Sequence, residues 1–245
     1  MSERALVVGG ASGIGAATAS LLHERGWSVA IADIDRAATE QMTSNYSGME
    51  GVHLDVTDPV SVESGVAAAV DSLGGLDSLI VCAGISDAAP TADTPPDRWR
   101  RLMAINLDGG YYTVRASVDA LRQSGHGTVV MMSSVAAQLG MPRRASYCAS
   151  KGAVEALVRS FAVEFAPEVR VNAVAPGYVR TQLVAEALEN GRVHEDDIVS
   201  NIPTGRMAEP IELARCIAFL ASRESSFITG QVMVVDGGMT INTTW

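Results

Sequence analysis

The sequence predicts an α/β fold: a doubly wound, mainly parallel seven-stranded sheet with helices on both faces. Three observations carry that expectation. Short runs rich in Val, Ile and Leu recur along the chain, longer helical patterns fill the gaps between them, and a glycine-rich turn follows the first run. The runs are Ala5–Gly9, Ser28–Asp33, Gly51–Leu54, Ser78–Cys82, Thr128–Met132, Val169–Val174 and Val232–Val235. They are apolar almost throughout rather than at alternate positions, which suits strands buried on both faces of a parallel sheet.

The helices have their own signals. Asp58-Pro59 offers a capping carboxylate and then a proline at the first helical position, where a missing N–H leaves no bond unmade. Thr94-Pro95-Pro96-Asp97 places a capping hydroxyl three residues before an acid. Ala16–Glu24 and Gly152–Phe165 read as helices after the glycine turn and after the fifth strand. Strand and helix alternate with no linker and no internal repeat, so residues 1–245 are expected to form a single domain.

Composition narrows the functions. Apolar residues make up 47% of the chain, enough for a sizeable core. The net charge of −10, with no basic cluster, argues against nucleic acid as a partner. No apolar run approaches a membrane span of roughly 18 residues, and Met1-Ser-Glu-Arg leads straight into a strand rather than a signal peptide. Cys82, Cys148 and Cys216 are far apart, as are His23, His53, His126 and His194, and neither set has metal-ligand spacing. The expectation is a reduced, cytoplasmic, metal-free protein.

Gly9-Gly10-Ala11-Ser12-Gly13-Ile14-Gly15 lies between a strand and a helix. Glycines there let backbone approach a pyrophosphate, and the helix N-terminus supplies N–H donors and positive dipole. Asp33 closes the next strand 18 residues after Gly15. A carboxylate at that place accepts from both ribose hydroxyls of an adenosine and repels a 2′-phosphate. Arg36, the nearest cation, reads as one turn into a helix. The whole is a Rossmann-type dinucleotide site that favours NAD over NADP.

Tyr147 and Lys151 stand four apart, hence on one face of a helix. A phenol has an ordinary pKa of about 10, and a nearby ammonium favours the phenolate and so lowers that value towards the working range. Ser134, just past a strand end, is placed to hold a substrate oxygen beside the phenol. This is an acid–base device for a carbonyl/alcohol pair.

The glycine spacing Gly9-x-x-x-Gly13-x-Gly15, Asp55-Val56, Cys82-Ala83-Gly84, Asn106, Ser134, Tyr147-x-x-x-Lys151 and Pro176-Gly177-Tyr178-Val179-Arg180-Thr181 together resemble the classical short-chain dehydrogenases/reductases. The resemblance spans the chain, including Ile202-Pro-Thr-Gly-Arg206 and Val235-Asp236-Gly237-Gly238. It implies an oxidoreductase with catalytic residues Asn106, Ser134, Tyr147 and Lys151. Tyr147 would exchange a proton with the substrate oxygen that Ser134 holds, Lys151 would also bind the nicotinamide ribose, and Asn106 would place a water. Cofactor contacts would come from Gly9, Ser12, Gly13, Ile14, Gly15, Asp33, Ile34, Asp55, Val56, Ala83, Gly84, Tyr147 and Lys151. Pro176, Gly177, Val179 and Thr181 would hold the carboxamide. The resemblance also implies a homotetramer, with Ile211–Leu220, Val232–Val235 and the helix bearing Trp99, Leu102 and Met103 buried between subunits.

Two residues depart from the family pattern: Val8 stands where the family has threonine, and Cys82 where it has asparagine. They close neighbouring strands at one edge, so the two apolar side chains are expected to meet. Cys82 and Cys148 read as small packed hydrophobes and Met131 and Met132 as core.

The segment at about 182–205 is expected to cover the substrate. Leu183, Val184, Ala187 and Leu188 give it an apolar face. With Leu139, Met141 and Tyr178, that face suggests a mostly hydrophobic alcohol or ketone, and no cation stands out to grip an acid. The expectation is an NAD-dependent enzyme interconverting a secondary alcohol and its ketone. The alternatives are an NADP-linked 3-oxoacyl-(acyl-carrier-protein)-type ketoreductase and a non-catalytic dinucleotide-binding regulatory subunit.

Overall fold

A computed structural model describes residues 2–189, 191 and 194–242, apart from the side chains of Leu183 and Ala187. The chain runs β1 (Arg4–Val8), α1 (Gly13–Glu24), β2 (Ser28–Asp33), α2 (Arg36–Ser44), β3 (Glu50–His53), α3 (Pro59–Leu73) and β4 (Ser78–Val81). It continues through α4 (Pro96–Met103), α5 (Gly109–Gln123), β5 (Gly127–Met132), α6 (Ala145–Glu164) and β6 (Val169–Pro176). Last come α7 (Gln182–Glu189), α8 (Glu195–Val199), α9 (Pro210–Ala221) and β7 (Val232–Val235). The strands form one seven-stranded sheet in the order β3-β2-β1-β4-β5-β6-β7, parallel at every pairing. The order reverses direction at β1, so the crevice beyond the carboxyl ends of β1 and β4 is where this architecture binds ligands.

Burial follows the layers. Every residue of β4 and β5 is buried. On one face Val62 and Val66 of α3, Val114 and Leu121 of α5, and Val154 and Val158 of α6 pack against Leu6, Val8, Leu79 and Val129. On the other, Ala19 and Leu22 of α1 and Leu213 and Ile217 of α9 cover Ala5, Val7, Ile31, Ile80 and Val130. Met131 and Met132 divide between the two faces as core. Among the described residues no helix is long and apolar enough to cross a membrane.

Asp58 caps α3 as its sequence suggests, its carboxylate accepting from the Val60 N–H at 3.0 Å. Thr94 does not act this way. α4 starts one residue later, after Pro95, and the Thr94 hydroxyl donates instead to the Pro90 carbonyl at 2.9 Å. The two prolines move the start, because proline is well placed at a first helical position and restricts the residue before it. Arg36 is the first residue of α2 rather than a turn inside it, and Asp35 caps that helix. Between α4 and α5, residues Ala104–Asp108 form a π-helical turn that contains Asn106.

Val8 and Cys82 do not meet. Val8 lies opposite Val81 across β1 and β4, so Cys82, one residue further, points to the other face. Val8 packs with the α3–α5–α6 cluster and Cys82 with the α1–α9 cluster. What joins them is backbone, with the Cys82 N–H donating to the Val8 carbonyl at 2.8 Å.

Candidate active site

The turn after β1 is shaped by what it excludes. A Cβ on Gly9 would sit 2.5 Å from the Ala83 nitrogen, and one on Gly15 would sit 2.0 Å from the Gly9 carbonyl oxygen. Gly9 also has φ +75°, which suits glycine. The turn therefore lies flat against the end of β4, with its N–H groups and the start of α1 towards the crevice. Ser12 is the exposed N-cap of α1 with no capping bond from its hydroxyl, whereas Ile14 packs into the core beneath. Asp33 reaches back from the end of β2: one carboxylate oxygen accepts from the Ala11 N–H at 3.1 Å and the other from the Asp35 N–H at 3.1 Å. Beside it Ile34, a large apolar side chain, is 61% exposed.

Asp55 and Val56 follow β3. The Asp55 carboxylate is tied to its own loop, accepting from the Thr57 N–H at 2.8 Å and the Thr57 hydroxyl at 2.7 Å, and Val56 packs where a Cβ on Gly109 would be. Gly84, after β4, is exposed; a Cβ there would stand 3.3 Å from Asn106 Oδ1 and 3.6 Å from Lys151 Nζ. Pro176 to Thr181 returns over the glycine turn, since a Cβ on Gly13 would lie 3.5 Å from Thr181 Cγ2. Gly177 lies against Asp236. The Val179 side chain goes into the core, which leaves only its backbone for a ligand. A slot lined by bare backbone, closed by a carboxylate at one end and flanked by an exposed isoleucine, fits a dinucleotide.

The side chains for acid–base chemistry converge at the far end of that slot. Tyr147 is in the first turn of α6, with Lys151 one turn on. Lys151 is only 5% exposed; its Nζ donates to the Met132 carbonyl at 2.8 Å and stands 5.8 Å from the centre of the Tyr147 ring. Ser134, buried just past β5, caps a short 3₁₀ turn, its hydroxyl accepting from the Ala136 N–H at 3.2 Å. Asn106 is 4% exposed, and its amide makes three hydrogen bonds. Its Oδ1 accepts from the Ile85 N–H at 2.8 Å, and its Nδ2 donates to the Ile85 carbonyl at 2.9 Å and the Ser150 hydroxyl at 3.2 Å. The π-helical turn presents this amide inward, and the amide pins the chain after β4 to α6.

Burial dominates the electrostatics. It pushes the Tyr147 phenol above its ordinary value, against the Ser134 hydroxyl and the charge of Arg144, which pull it down, while Cys148 adds slightly to the rise. Lys151 is lowered to about 8 by burial, with Cys82 acting the other way. The Cys82 thiol is pushed up to about 12 by burial, and Lys151 opposes that shift; this thiol stays protonated and inert at neutral pH. One expectation needs correcting: the phenol, expected below its ordinary value, stands above it, because burial outweighs the Ser134 hydrogen bond and the Arg144 charge. The Lys151 ammonium is directed at a backbone carbonyl, and its own desolvation is the larger effect.

Sequence reasoning missed Arg144 and Ser150. Both stand three residues from Tyr147, Ser150 one turn further along α6 and Arg144 just before the helix begins. The Arg144 guanidinium donates to the Ser86 hydroxyl at 2.7 Å, and the Ser150 hydroxyl donates to the Tyr147 carbonyl at 2.8 Å. The covering segment also differs from expectation. Val184, Leu188 and Tyr178 pack against Ile198, Ile202 and Met207, so part of the apolar face builds a small core of its own. The side chains of Leu183 and Ala187, expected on that face, lie outside the described residues.

The chain is similar to known proteins along nearly its whole length. A family model described as enoyl-(acyl carrier protein) reductase matches residues 9–240. Trans-4-hydroxycyclohexanecarboxylate dehydrogenase of Sinomonas cyclohexanicum is 39% identical over 96% of this chain and 92% of its own. The cis-4-hydroxycyclohexanecarboxylate dehydrogenase of that organism is 40% identical over 96% of both chains. Among solved structures, that of ElxO with NADP bound is similar with a TM-score of 0.93 and 29% identity, covering 99% of this chain and 100% of that one.

Proposed function

The chain belongs to the classical short-chain dehydrogenase/reductase family, and from that premise we propose that it is an NAD-dependent enzyme interconverting a secondary alcohol on a six-membered carbocycle and the matching ketone. The observation that carries this reading is the convergence of Ser134, Tyr147, Lys151 and Asn106 beside the bare-backbone slot of Gly9, Gly15 and Gly84. The nicotinamide dinucleotide, when bound, accepts or supplies the hydride.

The chain's own residues do the rest. Ser134 hydrogen-bonds the substrate oxygen and orients it to the Tyr147 phenol. During oxidation the alcohol proton passes to the Tyr147 oxygen; during reduction the phenol returns it. Lys151 holds a positive charge beneath that oxygen, and Asn106 keeps α6 and the chain after β4 at a fixed spacing while placing a water for proton exchange. Ser12 and the turn N–H groups receive phosphate, and Asp33 accepts from the adenosine ribose with Ile34 and Val56 against the base. Residues 1–245 act as one catalytic unit, with the segment at about 182–205 closing over the substrate.

NAD is favoured because Asp33 brings a negative charge to the place where NADP carries its 2′-phosphate. The experiment is a panel of cyclic alcohols and ketones, each with NAD(H) and NADP(H), followed by nicotinamide absorbance. A higher kcat/KM with NAD is expected. Preference for NADP would overturn the cofactor assignment, and cofactor binding without turnover would favour a regulatory subunit. A homotetramer is supported by the exposed Trp99, Tyr111, Val163 and Phe227 side chains; a monomer mass by light scattering would overturn it.

A further inference from the structure

Above the Tyr147 phenol the charge balance runs against that of the whole chain. The protein carries a net charge of −10, yet two guanidiniums, Arg98 and Arg144, share one carboxylate, Asp87. Arg98 takes that carboxylate with a two-pronged grip. Arg98 holds Asp87 below the usual carboxylate range, with a smaller contribution from Arg144. Arg144 has no ion pair of its own among the described residues. Of its five N–H donors, the hydrogen bond to the neutral Ser86 hydroxyl engages one. One positive charge is left over, near enough to the phenol to act on it.

The backbone holds Arg144 in that place. Arg143, directly before it, has φ +63°, the one non-glycine residue with positive φ among those described. A side chain in the left-handed region is strained and persists where the surroundings over-determine it. Here the Arg143 carbonyl accepts from the Ala89 N–H at 2.8 Å, and the Arg144 carbonyl accepts from the Cys148 N–H at 2.8 Å. Arg144 is thus clamped between the loop after β4 and the first turn of α6, as the residue that precedes that helix, three before Tyr147. A flexible solvated arginine needs none of this.

We propose that Arg144 is the anchor for a carboxylate on the substrate, so that the preferred substrate is a hydroxy acid whose carboxylate lies across the ring from the reacting alcohol. This rests on the reading that Ser134 and Tyr147 hold the substrate oxygen. With the oxygen fixed at one end and a guanidinium fork at the other, the ring lies between two directional contacts. A planar fork suits a carboxylate better than a point charge does. The apolar side chains nearby then accept the ring, which reconciles an anionic substrate with a mostly hydrophobic pocket.

The test compares trans-4-hydroxycyclohexanecarboxylate with cyclohexanol in wild type, Arg144→Gln and Arg144→Lys. Wild type should favour the acid in kcat/KM. Arg144→Gln should cut that preference at least tenfold, mainly through KM, the scale of one charge-assisted hydrogen bond; Arg144→Lys should keep part of it. Any effect of the arginine on the phenol is common to both substrates and cancels in the ratio. A ratio that does not change, or a wild type indifferent to the carboxylate, overturns the proposal. If neither alcohol is oxidised, the functional reading fails by itself. Calorimetric binding of cyclohexanecarboxylate, which has no alcohol, to the NAD-loaded protein then decides Arg144: binding weakened tenfold by Arg144→Gln supports it, and equal or absent binding overturns it. Should Arg144→Gln not fold, Arg144→Lys carries both measurements.

Discussion

The glycine turn after β1 and the described residues of the segment from Gln182 to Gly205 are built on different principles. In the turn, backbone lies against backbone: Gly15 leaves a Cβ no room beneath the Gly9 carbonyl, and Gly9 leaves none beside Ala83. Its shape follows from hard contacts and has one solution. The segment is instead held by side chains, with Val184 and Leu188 packed on Ile198, Ile202 and Met207 in a cluster separate from the two main cores. Small apolar clusters accept substitutions of similar volume with little loss. In the proposed function a surface that must recognise one invariant cofactor is fixed by sterics, and a surface that would select a substrate is left to exchangeable packing.

The largest effect expected is on the chemistry that both regions would serve. Tyr147→Phe should lower kcat by at least about 10²-fold, the usual scale for a positioned proton donor. NAD binding, measured by fluorescence titration, should stay close to that of the wild type. Near-normal kcat would mean that the proton goes elsewhere and that the two regions do not serve that reaction.

Next comes the turn itself. Gly15→Ala places a methyl 2.0 Å from the Gly9 oxygen, so backbone must shift. A stability loss of about 1–3 kcal/mol is expected, with NAD binding weakened at least tenfold. Leu188→Ala, in the other region, should raise substrate KM severalfold while leaving the dissociation constant for NAD alone. If both variants change the same quantity, the contrast between the two regions fails.

A pH dependence separates burial from charge at Lys151. Its ordinary value of 10.5 falls to about 8 in the fold. Below about 8 both folded and unfolded chains hold the proton, and folding bears the full cost of burying the ammonium. Between about 8 and 10.5 the unfolded chain binds more protons, so stability rises with pH. The Cys82 thiol, raised from 9.0 to about 12, acts oppositely above pH 9. Lys151→Met raises that thiol further, so the two proteins are compared below about pH 9, where the thiol is protonated in both. Wild type should gain on Lys151→Met by on the order of 1 kcal/mol up to that pH in urea melts. A flat difference would show that Lys151 is not desolvated.

The smallest expected effect concerns Val8 and Cys82. Their side chains lie on opposite faces of the sheet, so the costs of Val8→Thr and Cys82→Asn should add to within about 0.5 kcal/mol. Larger coupling in denaturant melts of the single and double variants would mean that the shared backbone bond between the two residues transmits strain.

Much of this protein follows from its sequence alone, wherever the physics is local. Near-continuous apolar runs separated by helical patterns dictated the parallel sheet, because strands covered on both faces have no polar side. The glycines of the first turn, the carboxylate at the end of β2, and Tyr147 with Lys151 one helical turn apart were legible because short-range backbone geometry sets each of those spacings. The tertiary structure alone decided what depends on faces and on distant partners. Val8 and Cys82 share an edge in sequence, but a one-residue offset in register sends them to opposite sides. Asn106 is turned inward by a π-helical turn that periodicity does not announce. Burial raises the Tyr147 phenol even with Lys151 over its ring and the Arg144 charge nearby, because packing decides how much water each group loses. Electrostatics at a buried site depend on desolvation, and desolvation exists only once the chain has closed around the site.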